Sequence, residues 1–131
     1  MKLSIIIPIF NEKNTIEKIL EKIESVDLND VEKEIIIIDD GSTDGTREIL
    51  RQLPQNYKII FHEKNSGKGM AMRIGIQKAT GDILIMQDAD LEYDPRDYQK
   101  LIQPIINNQA AVVYGSRILG SNHKHSSLIF D

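Results

Sequence analysis

Residues 34–45 read EIIIIDDGSTDG, in which four consecutive isoleucines are followed directly by two aspartates and a glycine. β-branched residues favour strands, and an apolar run without polar alternation is typical of a strand that is buried on both faces. Such strands occur in parallel sheets, where crossover helices cover both sides of the sheet. The stretch therefore predicts an α/β domain with a polar cluster at the carboxyl end of a buried strand.

Four further apolar runs indicate additional strands, and they are Leu3 to Ile7, Lys58 to Phe61, Ile83 to Met86 and Ala111 to Tyr114. The segments between them carry apolar residues three and four apart, which is the period of a helix. The four predicted helices begin at Asn14, at about Asp44, at about Gly67 and at Asp94-Pro95. At the first of them, Glu17 completes a capping box with Asn14. This alternation predicts a three-layer α/β/α fold with a mostly parallel sheet, in a single domain over residues 1–131.

Composition argues against several classes of function. The 131 residues carry 16 Lys and Arg against 20 Asp and Glu, without a long run of like charge, which argues against nucleic-acid binding. The absence of cysteine excludes disulfides, thiolate zinc sites and cysteine nucleophiles. No apolar run reaches the ~18 residues that span a bilayer, and the first residues lack a signal-peptide pattern. We expect the mature N-terminus of a soluble domain that faces the cytosol.

Polar clusters follow all five predicted strands, and they are Asn11-Glu12, Asp39 to Ser42, Asn65 to Gly69, Asp88 to Asp90 and Gly115 to Arg117. In open parallel sheets, ligands bind outside the carboxyl ends of the strands. We therefore expect the clusters to share one edge of the sheet and to form a site.

The pair Asp88-x-Asp90 is a candidate site for a hard divalent cation, because carboxylate oxygens bind such ions while the ion bridges substrate phosphates. Glu92 offers a third oxygen ligand. The spacing alone is also compatible with a solvated turn that ends in a helix cap, so the pair gains weight only from its position directly after a buried strand.

The other two acidic or glycine-rich clusters fit no common loop motif. Counted from Asp40, the twelfth position is Arg51 rather than the bidentate Glu of an EF-hand, so this cluster is not an EF-hand loop. One of Asp39 and Asp40 could instead accept hydrogen bonds from a nucleobase or ribose. The segment around Lys68 matches neither the Walker nor the dinucleotide pattern. It leaves a helix start whose amides, with Lys68 and Arg73, either face an anion or lie on a solvated surface.

Nucleophilic catalysis is not expected. The three histidines lack the partners of a catalytic triad, and no serine lies in a Gly-x-Ser-x-Gly pattern.

Taken together, the motifs resemble those of family 2 glycosyltransferases with the GT-A fold, a Rossmann-like nucleotide-diphospho-sugar transferase fold. The motifs are Pro8-x-Phe10-Asn11-Glu12, Asp39-Asp40-Gly41-Ser42-x-Asp44-Gly45-Thr46, Asn65-x-Gly67-Lys68-Gly69, Ala79-x-Gly81-Asp82, Asp88-Ala89-Asp90-Leu91 and Gly115-Ser116-Arg117. Within that family the chain is most similar to dolichol-phosphate mannosyltransferases and polyprenol-phosphate sugar transferases. The resemblance covers about residues 1 to 120 and implies the donor-binding part of such an enzyme, with the acceptor-side part absent.

The resemblance also implies a role for each matching residue. The nucleotide sugar would be bound by Pro8, Phe10, Glu12, Lys68 and Ala89, and its base and ribose would meet Ile37 and Asp39. The metal ion, Mg²⁺ or Mn²⁺, would be held by Asp88 and Asp90 of the DXD motif together with Glu92. Arg117 would contact a phosphate. Two positions depart from the family pattern. Glu92 stands where this group often has Gln, and Phe10 replaces the commoner Tyr.

The implied activity is inverting transfer of a hexose from a donor such as GDP-mannose or UDP-glucose to a polyprenyl or dolichyl phosphate. A phosphate monoester has a second pKa near ~6, so this acceptor would arrive ionised and need no strong base. Two alternatives remain open: a family 2 transferase of surface polysaccharide synthesis, and a truncated module that binds nucleotide sugar without transferring it. The implied location is cytoplasmic, and association with a membrane face or a partner chain is left open.

Overall fold

The computed structural model of the protein describes residues 1–89, 94–106, 113–114 and 117–118. Within these residues the strands are β1 (Lys2–Ile9), β2 (Glu32–Asp40), β3 (Lys58–His62), β4 (Ile83–Met86), β5 (Val113–Tyr114) and β6 (Arg117–Ile118). The helices are α1 (Ile16–Ser25), α2 (Thr46–Arg51), α3 (Lys68–Lys78) and α4 (Tyr98–Ile106), and a 3₁₀ turn at Pro95–Asp97 precedes α4. None of the helices in these ranges is long and apolar enough to cross a bilayer.

The strands form one sheet in the order β3-β2-β1-β4-β5-β6. Among the described strands, the pairings of β1 to β5 are parallel, whereas β6 runs antiparallel to β5. The predicted mostly parallel sheet is therefore confirmed. The sequence does not indicate strand β6, because its two residues are too few to show a hydrophobic period.

Apolar side chains fill both faces of the sheet, because successive residues of a strand point to opposite sides. Leu3, Ile5 and Ile7 of β1 pack in a cluster with residues of α1, α2 and α4. Ile6, between them in sequence, packs in a second cluster with residues of α3. Each fully buried isoleucine contributes roughly 1.5–3 kcal/mol to folding. The continuous apolar runs thus produce the three layers that the sequence predicts.

Helix α3 lies unusually close to the sheet. A Cβ added at Gly75 would come within 3.0 Å of the side chains of Ile6 and Ile38. Only a residue without a side chain allows this approach. The close packing fixes where the first turn of α3 meets the carboxyl edge of the strands.

Two of the predicted helix starts differ from the structure. The capping box at Asn14 and Glu17 is wrong, because Thr15 is the cap residue of α1 and its side chain makes no capping hydrogen bond. Helix α2 begins at Thr46 rather than Asp44, since Gly45 has a φ of 104° and cannot be helical. At the 3₁₀ turn that leads into α4, Asp94 caps as predicted and accepts a hydrogen bond from the Arg96 amide at 2.9 Å.

A polar network holds the amino-terminal edge of the sheet together around Glu34, whose side chain is 10% exposed. One carboxylate oxygen accepts from Ser4 Oγ at 2.6 Å and from the Thr80 amide at 2.9 Å. The other accepts from Lys58 Nζ at 2.6 Å and from Thr80 Oγ1 at 2.8 Å. Burial opposes ionisation, but these hydrogen bonds outweigh it and lower the pKa of Glu34 to about 2.

The lowered pKa predicts a loss of stability in acid. Glu34 stabilises the fold fully above its ordinary pKa of 4.5, and this contribution, on the order of 3 kcal/mol, is lost as the pH falls through about 2. We expect Glu34→Gln to unfold more easily near pH ~6 and to show a flatter pH dependence of the free energy of unfolding, as measured in urea. Glu32→Gln, at the exposed start of the same strand, is the matched control. Equal pH dependence of wild type and Glu34→Gln would contradict this assignment.

Candidate functional site

A pocket of about 280 Å³ lies at the carboxyl edge of the sheet. Its wall combines the end of β1, the end of β2, the loop before α3, the first turns of α3 and the segment after β4. The lining residues are Pro8, Ile9, Phe10, Glu12, Asp40, Asn65, Gly67, Lys68, Ala71, Asp88 and Ala89. The polar clusters that follow the first four strands thus meet at one edge, as the sequence predicts.

The predicted site residues fall into three groups. Pro8, Phe10, Glu12, Lys68, Asp88 and Ala89 line the pocket. Ile37 and Asp39 do not, because Ile37 is fully buried in the core and Asp39 is fully buried against other residues. Asp90 and Glu92 lie outside the described residues, and Arg117 lies in β6, where only the backbone is described. The roles assigned to these residues stay predictions.

Asp39 is held by a buried ion pair. Its Oδ2 accepts from Arg47 Nε at 2.5 Å, and its Oδ1 accepts from the Ser42 amide at 3.3 Å. Arg47 also donates to the carbonyl of His62 at 2.7 Å and lies over the ring of Phe61. The hydrogen bond to Asp39 raises the pKa of Arg47. This carboxylate therefore joins the ends of β2 and β3 rather than facing the pocket.

Asp40 is the acidic residue of the pocket lining that is absent from the predicted site residues. Its carboxylate, with the residue 4% exposed, accepts from the Ser66 amide at 3.0 Å and from the Gly67 amide at 2.8 Å. The sequence predicts that amides at the start of α3 could face an anion. The Asp40 carboxylate already accepts hydrogen bonds from two of these amides. Once the face that carries α3 is known, Asp40 can be identified from the alternation of side chains along β2, because residues two apart lie on the same face of the sheet. Asp40 therefore shares a face with Ile36 and Ile38, which pack against α3.

The turn after β1 is fixed by Asn11, which adopts a φ of 54°. Its amide donates to Ser42 Oγ at 2.9 Å, and its side-chain oxygen accepts from the Thr43 amide at 2.7 Å. Asn tolerates this left-handed conformation better than most residues. These bonds hold the first two loops together and leave the side chain of Phe10 exposed at the pocket.

Asp88 lies beside Lys68 on the pocket wall. Lys68 Nζ is 2.5 Å from Asp88 Oδ1, and the two side chains are 45% and 35% exposed. Gln87 holds the segment that follows β4 in place. Its Nε2 donates to the Asp88 carbonyl at 3.0 Å, and its Oε1 accepts from the Tyr98 hydroxyl at 2.5 Å. Tyr98 is thus a packing residue, fully buried in the core.

The pocket chemistry suits a hard cation at Asp88. This carboxylate is partly exposed, offers oxygen ligands and already attracts one cation, the Lys68 ammonium. Within the part of the chain that the structure describes, no three acidic or histidine residues form a complete metal site. Asp90 and Glu92, the other two ligands that the resemblance implies, lie outside that part.

The comparisons with known proteins settle the family. A model described as "Glycosyl transferase family 2" matches residues 4–126. The chain belongs to this family. It is 36% identical over 119 residues to the dolichol-phosphate mannosyltransferase of Pyrococcus furiosus, covering 89% of this chain and 33% of that protein. It is also 36% identical to the UDP-N-acetylglucosamine--dolichyl-phosphate N-acetylglucosaminyltransferase of Methanococcus voltae, covering 87% of this chain and 51% of the relative.

The fold has solved counterparts. The mannosyltransferase PcManGT from Pyrobaculum calidifontis, in complex with GDP-Man and Mn²⁺, superposes with a TM-score of 0.72 at 25% identity. The match covers 82% of this chain and 33% of PcManGT. The expected GT-A fold is thereby confirmed. The chain spans between a third and a half of the length of these relatives.

The Asp40 contacts predict a local change in Asp40→Asn. Asparagine can accept one of the two amide hydrogen bonds but turns an NH₂ group toward the other, so about 1–3 kcal/mol should be lost. We expect faster hydrogen exchange at the Ser66 and Gly67 amides, measured by NMR. Asp27→Asn, which removes a carboxylate that accepts from the Asn29 amide at 2.8 Å, is the control and should leave both amides protected. Unchanged exchange in Asp40→Asn would contradict the assignment.

Proposed function

We propose that this chain carries the donor site of a glycosyltransferase that moves a hexose from a nucleotide-diphosphate sugar to a polyprenyl phosphate. The observation that carries the proposal is one pocket with an aromatic ring and Asp40 among its lining residues, together with Asp88 beside Lys68. The names of the relatives support the reaction class, since both act on a dolichyl or dolichol phosphate.

The nucleoside has suitable partners in the pocket. The exposed face of Phe10 offers a stacking surface for a base, and the lining places the Asp40 carboxylate in the same pocket. A carboxylate at the end of a strand is a common acceptor for the hydroxyl groups of a ribose. GDP-mannose and UDP-glucose are both compatible with these features, so the base and the sugar are left to the experiment.

Charge supports a metal-dependent donor site. Among the described lining residues, Glu12, Asp40 and Asp88 are acidic and Lys68 is the basic one. A diphosphate would be repelled by this set unless further positive charge joined it. We propose that Asp88, with Asp90 and Glu92, holds Mg²⁺ or Mn²⁺ and that Lys68 contacts the phosphates. A divalent cation so bound supplies a Lewis acid for the departing nucleoside diphosphate.

The acceptor is proposed from chemistry and from the relatives. A polyprenyl monophosphate has a second pKa near ~6 and is mostly ionised at neutral pH, so its oxygen can attack the anomeric carbon without a strong base. A sugar hydroxyl would need such a base. With this lipid acceptor, we propose that the reaction takes place at the cytoplasmic face of a membrane.

Donor binding is expected to require both metal and Asp88. By calorimetry, GDP-mannose or UDP-glucose should bind the wild-type protein in the presence of Mn²⁺ and at least about 10-fold more weakly without it, because the phosphates lose their cation. Asp88→Asn and Asp90→Asn should each bind with similarly reduced affinity and little response to Mn²⁺.

The control for these variants is Asp82→Asn, which makes the same change just before the amino-terminal end of β4, where Asp82 accepts from the Lys2 amide at 2.9 Å. It should bind the donor as the wild type does. Metal-independent binding, or an Asp88→Asn protein with a wild-type profile, would contradict the proposed donor site.

The acceptor is tested by transfer. With a radiolabelled donor and Mn²⁺, the protein should transfer sugar to a short polyprenyl phosphate and not to the corresponding polyprenol, since only the phosphate arrives ionised. Transfer to a glycan instead would favour polysaccharide synthesis. Tight donor binding without any transfer would favour a binding module.

A further inference from the structure

The ion pair between Lys68 and Asp88 crosses the pocket. Lys68 is the first residue of α3, after β3, whereas Asp88 follows β4, so the pair joins two separate walls. Lys68 Nζ lies 2.5 Å from Asp88 Oδ1. The Lys68 ammonium is therefore paired with the same carboxylate that, in the proposed function, binds a divalent cation.

Such a pair can open without damage to the fold. Both side chains are partly buried and partly exposed to solvent. Partly exposed ion pairs of lysine and carboxylate contribute little to stability. Lysine carries its charge on a flexible four-carbon stem, which can move to a new anion without backbone change. Its neighbour Gly69 has nothing within 4 Å of an added Cβ, so there is open space beside Gly69 in the first turn of α3.

We propose that Lys68 competes with the divalent cation for Asp88 and thereby couples metal binding to nucleotide binding. This inference rests on the proposed function. Without nucleotide, Lys68 neutralises Asp88 and lowers the affinity of the site for a divalent cation. A bound diphosphate offers Lys68 a stronger anionic partner, so the ammonium leaves Asp88 and the carboxylate becomes available.

The coupling is reciprocal. If a diphosphate raises the affinity for the cation by some factor, the cation raises the affinity for the diphosphate by the same factor. Lys68 would therefore have opposite effects on the two states of the site. It weakens metal binding to the empty pocket, and it strengthens nucleotide binding to the loaded pocket.

Mn²⁺ alone is the first probe, with free Mn²⁺ measured by electron paramagnetic resonance in the absence of nucleotide. Lys68→Gln should bind Mn²⁺ about 3- to 10-fold more tightly than the wild type, because its neutral side chain no longer competes for Asp88. Lys64→Gln removes the same charge from the loop before α3 and is the matched control, expected to bind Mn²⁺ as the wild type does. Circular dichroism establishes that each variant is folded.

GDP or UDP is the second probe, titrated by calorimetry with and without Mn²⁺. The ratio of the two nucleotide affinities measures the coupling, and it should be smaller in Lys68→Gln than in the wild type. Unchanged or weaker Mn²⁺ binding by Lys68→Gln in the absence of nucleotide would overturn the proposal, as would equal tightening in Lys64→Gln. Failure of the proposed function looks different, because the wild type would then bind no Mn²⁺ even with nucleotide present.

Discussion

The contact between the Asp40 carboxylate and the amides of Ser66 and Gly67 determines the geometry of the pocket. It draws the loop before α3 against the end of β2, so closely that a Cβ at Gly41 would lie 2.9 Å from the Asn65 nitrogen. Gly41 also has a φ of 80°, which most side chains disfavour. The Asp-Gly sequence after β2 is thus explained by packing: the aspartate makes the contact, and the glycine leaves room for it.

Alternation along β2 decides which of the two neighbouring aspartates faces the pocket. Ile37 packs on the face of the sheet that α1 and α4 cover, and Asp39 continues that face into an ion pair with Arg47. Ile38 packs on the face that α3 covers, and Asp40 continues it to the first turn of α3. A one-residue shift of the strand would exchange the two roles.

Much of the fold follows from the sequence, because buried parallel strands leave long apolar runs. The runs at β1 to β4 and the helical stripe of α1 identify the layers and bring the polar clusters to one edge. The details of the site were harder to predict. The sequence does not single out Asp40, because the choice between it and Asp39 depends on which face of the sheet carries α3, and only the tertiary structure shows that. The predicted start of α1 is wrong because Thr15, not Asn14, is the cap residue, and its hydroxyl donates to Glu12 instead of accepting from a helix amide.

Three aspartates of this edge, Asp39, Asp40 and Asp88, differ in how firmly their partners are fixed. Asp39 is bound by a guanidinium that is itself held by the His62 carbonyl, and removing either partner would leave a buried charge. Asp40 is bound by backbone amides, which cannot leave without unfolding the loop. Asp88 is bound by a lysine whose side chain is 45% exposed and can move away at little cost. Because a ligand can replace only a partner that is able to leave, exchange of ions at this edge is favoured at Asp88, while Asp39 and Asp40 keep the walls of the pocket in place.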